Sequence, residues 1–169
     1  MNPAPSTTSA LYSPAERRRR DASPWTKVQG VLAPIQFLAV LVSLALVLRY
    51  LATGLGWSVA TGSIVVKTVL LYTIMVTGSL WQRRVFGRYL FAPAFYWEDV
   101  VSLGVLALHS LYVVGLWWHW MAPRALMGVA LGAYGLYLLN AGQFLFKLRR
   151  ARVEERRGWT PAPAAGIAA

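Results

Sequence analysis

The sequence predicts an all-α integral membrane four-helix bundle with both termini cytoplasmic. Three observations predict it. Hydrophobic residues make up 57% of the 169 positions, mean hydropathy is +0.47, and the charges gather in a few clusters. Four apolar segments, 30–48, 58–80, 100–121 and 125–146, each approach the roughly 20 residues that a helix needs to cross a bilayer. Fourteen of the 17 basic residues flank the same ends of these segments: Arg17 to Arg20 and Lys27, then Arg83, Arg84 and Arg88, then Lys147, Arg149, Arg150, Arg152, Arg156 and Arg157. Lys and Arg are retained on the cytoplasmic side during insertion, so those ends are read as cytoplasmic. The other two loops hold Arg49 and Arg124, and Lys67 lies within the second span.

Residues 1–12, rich in Pro, Ser, Thr and Ala, read as a disordered tail. Ser13-Pro14-Ala15-Glu16 has the spacing of a capping box with proline at the first helical position, so 13–22 reads as a short basic interfacial helix. The membrane domain is 23–152, opened by Ser23-Pro24, and Pro34 is expected to bend its first helix. Thr53-Gly54-Leu55-Gly56 and Ala122-Pro123-Arg124 are periplasmic turns too short for a catalytic domain. Trp57, Trp117, Trp118 and Trp120 mark the periplasmic interface, and Trp25, Trp81 and Trp97 the cytoplasmic one. Gly128, Gly132 and Gly135 suggest close helix packing, and 153–169 reads as a basic, disordered tail.

Composition also excludes classes of function. The net charge of +11 lies beside helix ends, where topology and anionic headgroups account for it, so nucleic acid is not an expected partner. With no cysteine, disulfides, thiolate metal sites and Cys nucleophiles are out. The first apolar run starts near residue 30 and lacks a small-residue cleavage pattern, which argues against a cleaved signal. Neither a Gly-rich phosphate loop nor metal-ligand spacing is present.

The stretch 89–109, YLFAPAFYWEDVVSLGVLALH, places Glu98 and Asp99 behind Phe91, Phe95, Tyr96 and Trp97 at the mouth of an apolar helix that carries His109 at mid-depth. Acids beside hydrocarbon are costly, so the pattern points to a membrane enzyme or a pigment binder. Glu98, Ser102, Val105, His109 and Tyr112 form one stripe, with Asp99 about 100° away. Either acid can instead cap the helix or pair with Arg83, Arg84 or Arg88. Lys67 near the midplane needs carbonyls and hydroxyls around it, or an anionic ligand; His109 is either an interhelical hydrogen-bond partner or a ligand and proton-transfer group. Gln36, Glu98, Asn140 and Gln143 fall toward the cytoplasmic end on three helices and are positioned to line one cavity.

The words LYSPAERRRRDASPWTKVQGVLAPIQF, RYLATG, SIVVKTVLLYTIMVTG, VFGRYLFAPAFYWEDVVS and NAGQFLFKLR, in this order from Leu11 to Arg152, resemble the 3-vinyl bacteriochlorophyllide hydratase family of phototrophic bacteria. The resemblance implies addition of water to the C3 vinyl group of a magnesium tetrapyrrole, giving a 1-hydroxyethyl group on the route to bacteriochlorophyll a, with no external cofactor. It also implies a bacterial inner (intracytoplasmic) membrane, with the bilayer and other enzymes of the route as partners. On this reading Glu98, with Asp99 second, is the acid that protonates the terminal vinyl carbon, kept protonated by desolvation at the aromatic entrance. Lys67 meets the propionate, and His109 binds a ring carbonyl or the substrate's magnesium, no other metal being implied. Asn140 and Gln143 hold the water or a ring carbonyl, and Tyr96 and Trp97, with Phe91 and Phe95, stack on the ring. Glu98 and His109 are separated by about 16 Å along the helix, so they serve different parts of one large ligand. The alternative is a non-enzymatic pigment-binding or photosystem assembly protein.

Overall fold

A computed structural model describes residues 11–158, with side chains to Val153. The described residues form five helices: α1 (Pro14–Ala22), α2 (Pro24–Thr53), α3 (Trp57–Phe86), α4 (Tyr96–Trp117) and α5 (Pro123–Gly158). Four of them, α2 to α5, are long and apolar enough to cross a membrane.

Helix α1 starts where its capping box dictates. Ser13 Oγ accepts from the Glu16 amide at 3.3 Å, and Glu16 Oε2 accepts from the Ser13 amide at 2.8 Å. That backbone donor holds the Glu16 carboxyl below the usual carboxylate range. Just before the helix, Tyr12 is 5% exposed and lies against Phe86 and Phe95, ring centroids 5.9 and 6.3 Å away. The expected tail 1–12 therefore ends in an anchored residue, because an aromatic ring buries well in a nest of aromatic neighbours. Residues 1–10 lie outside the described residues.

Helix α2 runs through Pro34 without a break and turns inward Gln36, Val40, Ser43 and Val47, spaced by four, three and four. Its apolar residues Val31, Leu38 and Val42 point outward, each 60% exposed. Polar groups inside and aliphatic groups outside is the arrangement of a bundle whose solvent is hydrocarbon. Gly54 ends α2 at φ 71° and Gly56 precedes α3 at φ 87°, left-handed conformations that glycine takes without steric cost and that make the tight turn possible.

Helix α4 stops at Trp117, where the sequence suggested 121, because His119 takes φ 53° and Pro123 opens α5. Helix α5 continues to Gly158, past the expected boundary at 152, since the chain there carries no glycine or proline until Gly158. Residues 159–169 lie outside the described residues. Each of Gly128, Gly132 and Gly135 has open space where a Cβ would project, so the close packing expected there is not found. They fall on the outer face of α5, while Leu126, Met127, Ala130, Ala133 and Tyr134 fill its inner face. The close approaches occur on α4 instead, at Gly104 against Leu136 and at Gly115 against Trp120, Leu126 and Met121.

Helices α2 and α3 pack along their length, as do α4 and α5, and the two hairpins meet at fewer points. An apolar core of Val47, Ala60, Ile64, Tyr112, Leu126, Met127 and Ala130 closes the end near the short turns. An aromatic cluster of Tyr12, Phe95, Trp81, Phe86 and Phe144 closes the other, basic end. Between these two plugs lies the polar interior.

Candidate functional site

Two polar layers occupy that interior. The deeper one is built on Lys67 of α3 and His109 of α4, 0% and 1% exposed. His109 Nδ1 lies 2.8 Å from the Val105 carbonyl, so Nδ1 carries the proton and Nε2 is left as an acceptor that faces Lys67 Nζ. The ammonium also lies 5.1 and 4.9 Å from the ring centroids of Tyr134 and Tyr137, whose electron-rich faces stabilise a buried cation. Tyr134 is fixed by Ser43 at 2.6 Å, and Ser43 by Ser63 at 2.7 Å, which ties α2, α3 and α5 together at this depth. Lys67 thus neighbours an imidazole and two phenol rings rather than the carbonyls and hydroxyls considered from the sequence.

The second layer lies at the basic end. Glu98 is 5% exposed, and its Oε1 accepts from Lys147 Nζ of α5 at 2.6 Å. Lys147 also donates to the Ala94 carbonyl and sits over the Phe95 ring at 4.9 Å. The other oxygen, Glu98 Oε2, is buried with no hydrogen-bond partner among the described residues. One turn deeper, Asn140 Nδ2 donates to Ser102 Oγ at 2.7 Å, and Asn140 Oδ1 is likewise buried and unpartnered.

Asp99 is placed differently. Its Oδ1 accepts from Gln82 Nε2 at 2.6 Å and its Oδ2 from the Phe91 amide at 2.7 Å. Gln82 Oε1 in turn accepts from the Ala92 amide at 3.4 Å, so Asp99 and Gln82 together brace the loop between α3 and α4. Phe91 stands at φ 58°, a strained conformation that this carboxylate contact holds in place. The arginines considered from the sequence as partners for the acids, Arg83, Arg84 and Arg88, are replaced in these contacts by Lys147 and Gln82.

The structure therefore brings Glu98 and Asn140 into one layer and Lys67 and His109 into another. It does not bring in Gln143, which is exposed: the inward stripe of α5 here is Asn140, Phe144, Lys147 and Ala151, and Gln143 falls beside it. Tyr96 and Trp97, 48% and 69% exposed, form an outer aromatic edge with Phe91, centroids 5.5 Å apart. Lys147 escaped notice in the sequence because it stands in the basic arm, yet its seven-residue spacing from Asn140 put it on the same face.

The chain is matched by a family model described as 2-vinyl bacteriochlorophyllide hydratase, over residues 12–150. The 2-vinyl bacteriochlorophyllide hydratase of Cereibacter sphaeroides is 60% identical over 145 residues, covering 85% of this chain and 89% of that protein. The 2-vinyl bacteriochlorophyllide hydratase of Rhodobacter capsulatus is 59% identical over 145 residues, covering 86% and 84%. The chain belongs to this family. No solved structure matches the chain. The matched region contains both polar layers, from Ser43 to Lys147.

Proposed function

We propose that this chain is a hydro-lyase of bacteriochlorophyll biosynthesis that adds water to the vinyl group of a (bacterio)chlorophyllide to give the 1-hydroxyethyl derivative, without an external cofactor. Family membership supplies the reaction. Its place in the molecule is supported above all by Glu98, a carboxyl group buried among apolar helices with one oxygen committed to Lys147 and the other turned to no partner among the described residues.

The bundle spans the inner, intracytoplasmic membrane with both termini cytoplasmic, as its basic flanks favour. Helix α1, with Arg17 to Arg20, lies on the cytoplasmic surface. Substrate enters laterally past Phe91, Tyr96 and Trp97, whose exposed rings offer faces on which a flat macrocycle stacks. Other enzymes of the route are its partners, because substrate and product are both apolar and pass between active sites most readily within the bilayer.

Hydration forms a C–H bond at the terminal vinyl carbon and a C–O bond at the inner one. Glu98 carries the proton for the first of these bonds as the general acid, with Lys147 Nζ held against its Oε1 and its Oε2 turned to the substrate. Glu98 then gives this proton to the terminal carbon, the macrocycle spreads the positive charge left at the inner carbon, and water attacks there. The proton released by that water returns to Glu98. Asp99, with both oxygens occupied, is the second carboxylate, and acts by holding the loop that shapes the mouth.

At the far end, about 16 Å along α4, Lys67 receives the propionate. This links two roles. His109 Nε2, an acceptor that faces Lys67, reaches the substrate magnesium only once Lys67 has turned to the carboxylate, and with its proton on Nδ1 it offers nothing to a ring carbonyl. Asn140 holds the water. Gln143, on the outer side of α5, would act only at the rim.

The test is turnover by membranes containing the chain, supplied with vinyl pigment: we expect hydroxyethyl product in the wild type and loss of at least about a hundredfold in Glu98→Gln. A wild type that retains pigment and forms no product would instead support the pigment-binding or assembly role.

A further inference from the structure

Four buried polar atoms lack a hydrogen-bond partner among the described residues and fall in the zone between the two plugs: Gln36 Oε1, Gln36 Nε2, Glu98 Oε2 and Asn140 Oδ1. Buried polar groups are almost always satisfied, so a cluster of such atoms marks a place for something with complementary groups. Gln36 is the most enclosed of the three residues, at 1% exposed.

Helix register places them together. Ser43 and Tyr134 are bonded, fixing a common depth on α2 and α5. From that depth toward the basic end, Gln36 lies seven residues along α2, about 10 Å, and Asn140 lies six residues along the antiparallel α5, about 9 Å. Seven residues is nearly two full turns, so Gln36 leaves α2 on the same inward face as Ser43. Asn140 is bonded to Ser102, and Glu98 lies one turn from Ser102 on the same stripe of α4. The three residues thus come from α2, α4 and α5, across the seam between the two hairpins.

The chemistry of the set selects the ligand. Three of the four atoms are acceptors: a carboxylate oxygen and two amide oxygens. A magnesium tetrapyrrole has its ring nitrogens on the metal and presents carbonyl and carboxylate oxygens, so it offers these acceptors no N–H or O–H donor. Water offers two, and one water bridges acceptors about 4.5–5 Å apart, close to the separation of neighbouring helix turns.

We propose that Gln36, Asn140 and Glu98 form an internal water chamber beside the vinyl site, and that Gln36 is a positioning residue that holds the nucleophilic water. This rests on the hydratase reading and extends it to the second substrate. Glu98 Oε2 and Gln36 Oε1 accept the water's two hydrogens, which turns its lone pair toward the inner vinyl carbon, while Gln36 Nε2 donates to a second water, itself bonded to Asn140 Oδ1, that refills the chamber.

The experiment compares wild type, Gln36→Leu, Gln36→Met and Gln36→Ala in membranes with 3-vinyl chlorophyllide. It follows pigment affinity by absorbance, turnover at saturating pigment in ¹⁸O-labelled water, and the ratio of methyl ether to alcohol formed in dilute methanol. We expect Gln36→Leu and Gln36→Met to lose about tenfold or more in kcat, the worth of a hydrogen bond, with pigment affinity within about threefold of wild type. We expect Gln36→Ala, which enlarges the chamber, to raise the ether-to-alcohol ratio several-fold. Unchanged kcat and product ratio would overturn the proposal. So would a loss confined to pigment affinity, or failure of every Gln36 variant to retain pigment, because either would make Gln36 a pigment or packing contact. A wild type that makes no alcohol sinks the hydratase reading, and this inference with it. An active wild type with indifferent variants sinks this inference alone.

Discussion

Lys67 is a fully buried lysine in the middle of an apolar helix. Its neighbours are a neutral imidazole acceptor and two phenol faces, which stabilise a cation without neutralising it. An arriving carboxylate would complete the pair. We therefore expect Lys67→Met to weaken binding of the free-acid pigment by about 2–5 kcal/mol and to leave binding of its propionate methyl ester little changed. Absorbance titration with acid and ester checks this, and equal losses for both would remove the propionate from Lys67. At Asp99, Asn substitution keeps an acceptor for only one of the two N–H donors, Gln82 Nε2 and the Phe91 amide. We expect Asp99→Asn to lower thermal stability by about 1–3 kcal/mol and to retain measurable turnover, unlike Glu98→Gln. Much of this site was legible in the sequence, because acids, lysine and histidine deep in apolar helices have few structural excuses. The pairings were not, because they depend on which faces of different helices meet. Lys147 reaches Glu98 from a stretch that reads as a topology signal, and Asp99 turns to a glutamine rather than to the nearby arginines.

At the scale of elements, two kinds of glycine behave oppositely. A Cβ on Gly115 would lie 2.6 Å from Trp120 Nε1, 3.0 Å from Leu126 Cδ2 and 3.1 Å from Met121 Sδ. Gly115→Ala should therefore destabilise the α4–α5 hairpin by about 1–3 kcal/mol. Gly128→Ala, with open space around it, should be neutral or stabilising by up to about 1 kcal/mol. Unfolding in mild detergent distinguishes them, and equal effects would contradict the packing described for α4. The four spans and the α1 capping box could be read directly, since length, hydropathy and cap residues act locally. The glycine faces could not: α5 is apolar on both sides, so periodicity does not say which side meets protein and which meets lipid. Nor did the composition of 1–12 reveal Tyr12, whose anchoring depends on Phe86 and Phe95, far along the chain. Tyr12→Ala should loosen α1 from the bundle and speed proteolytic cleavage at Arg17 to Arg20, with the four long helices intact.

At the scale of the whole molecule, two hairpins are sealed at one end by aliphatic packing and at the other by aromatic rings, leaving polar groups at the seam between them. Such a body suits a flat apolar substrate that arrives sideways and a small polar one that waits inside. The reaction proposed for this bundle is the addition of water to a vinyl group by a buried carboxyl. The most direct test gives vinyl pigment to wild-type and Glu98→Gln membranes in doubly labelled water, D₂O carrying ¹⁸O, and analyses the product by mass spectrometry. We expect the wild type to place one deuterium in the new methyl group and ¹⁸O in the new hydroxyl group, and Glu98→Gln to bind pigment and form almost none of this product. Wild-type membranes that hold the pigment unchanged, or a Glu98→Gln variant that turns over at the wild-type rate, would contradict it.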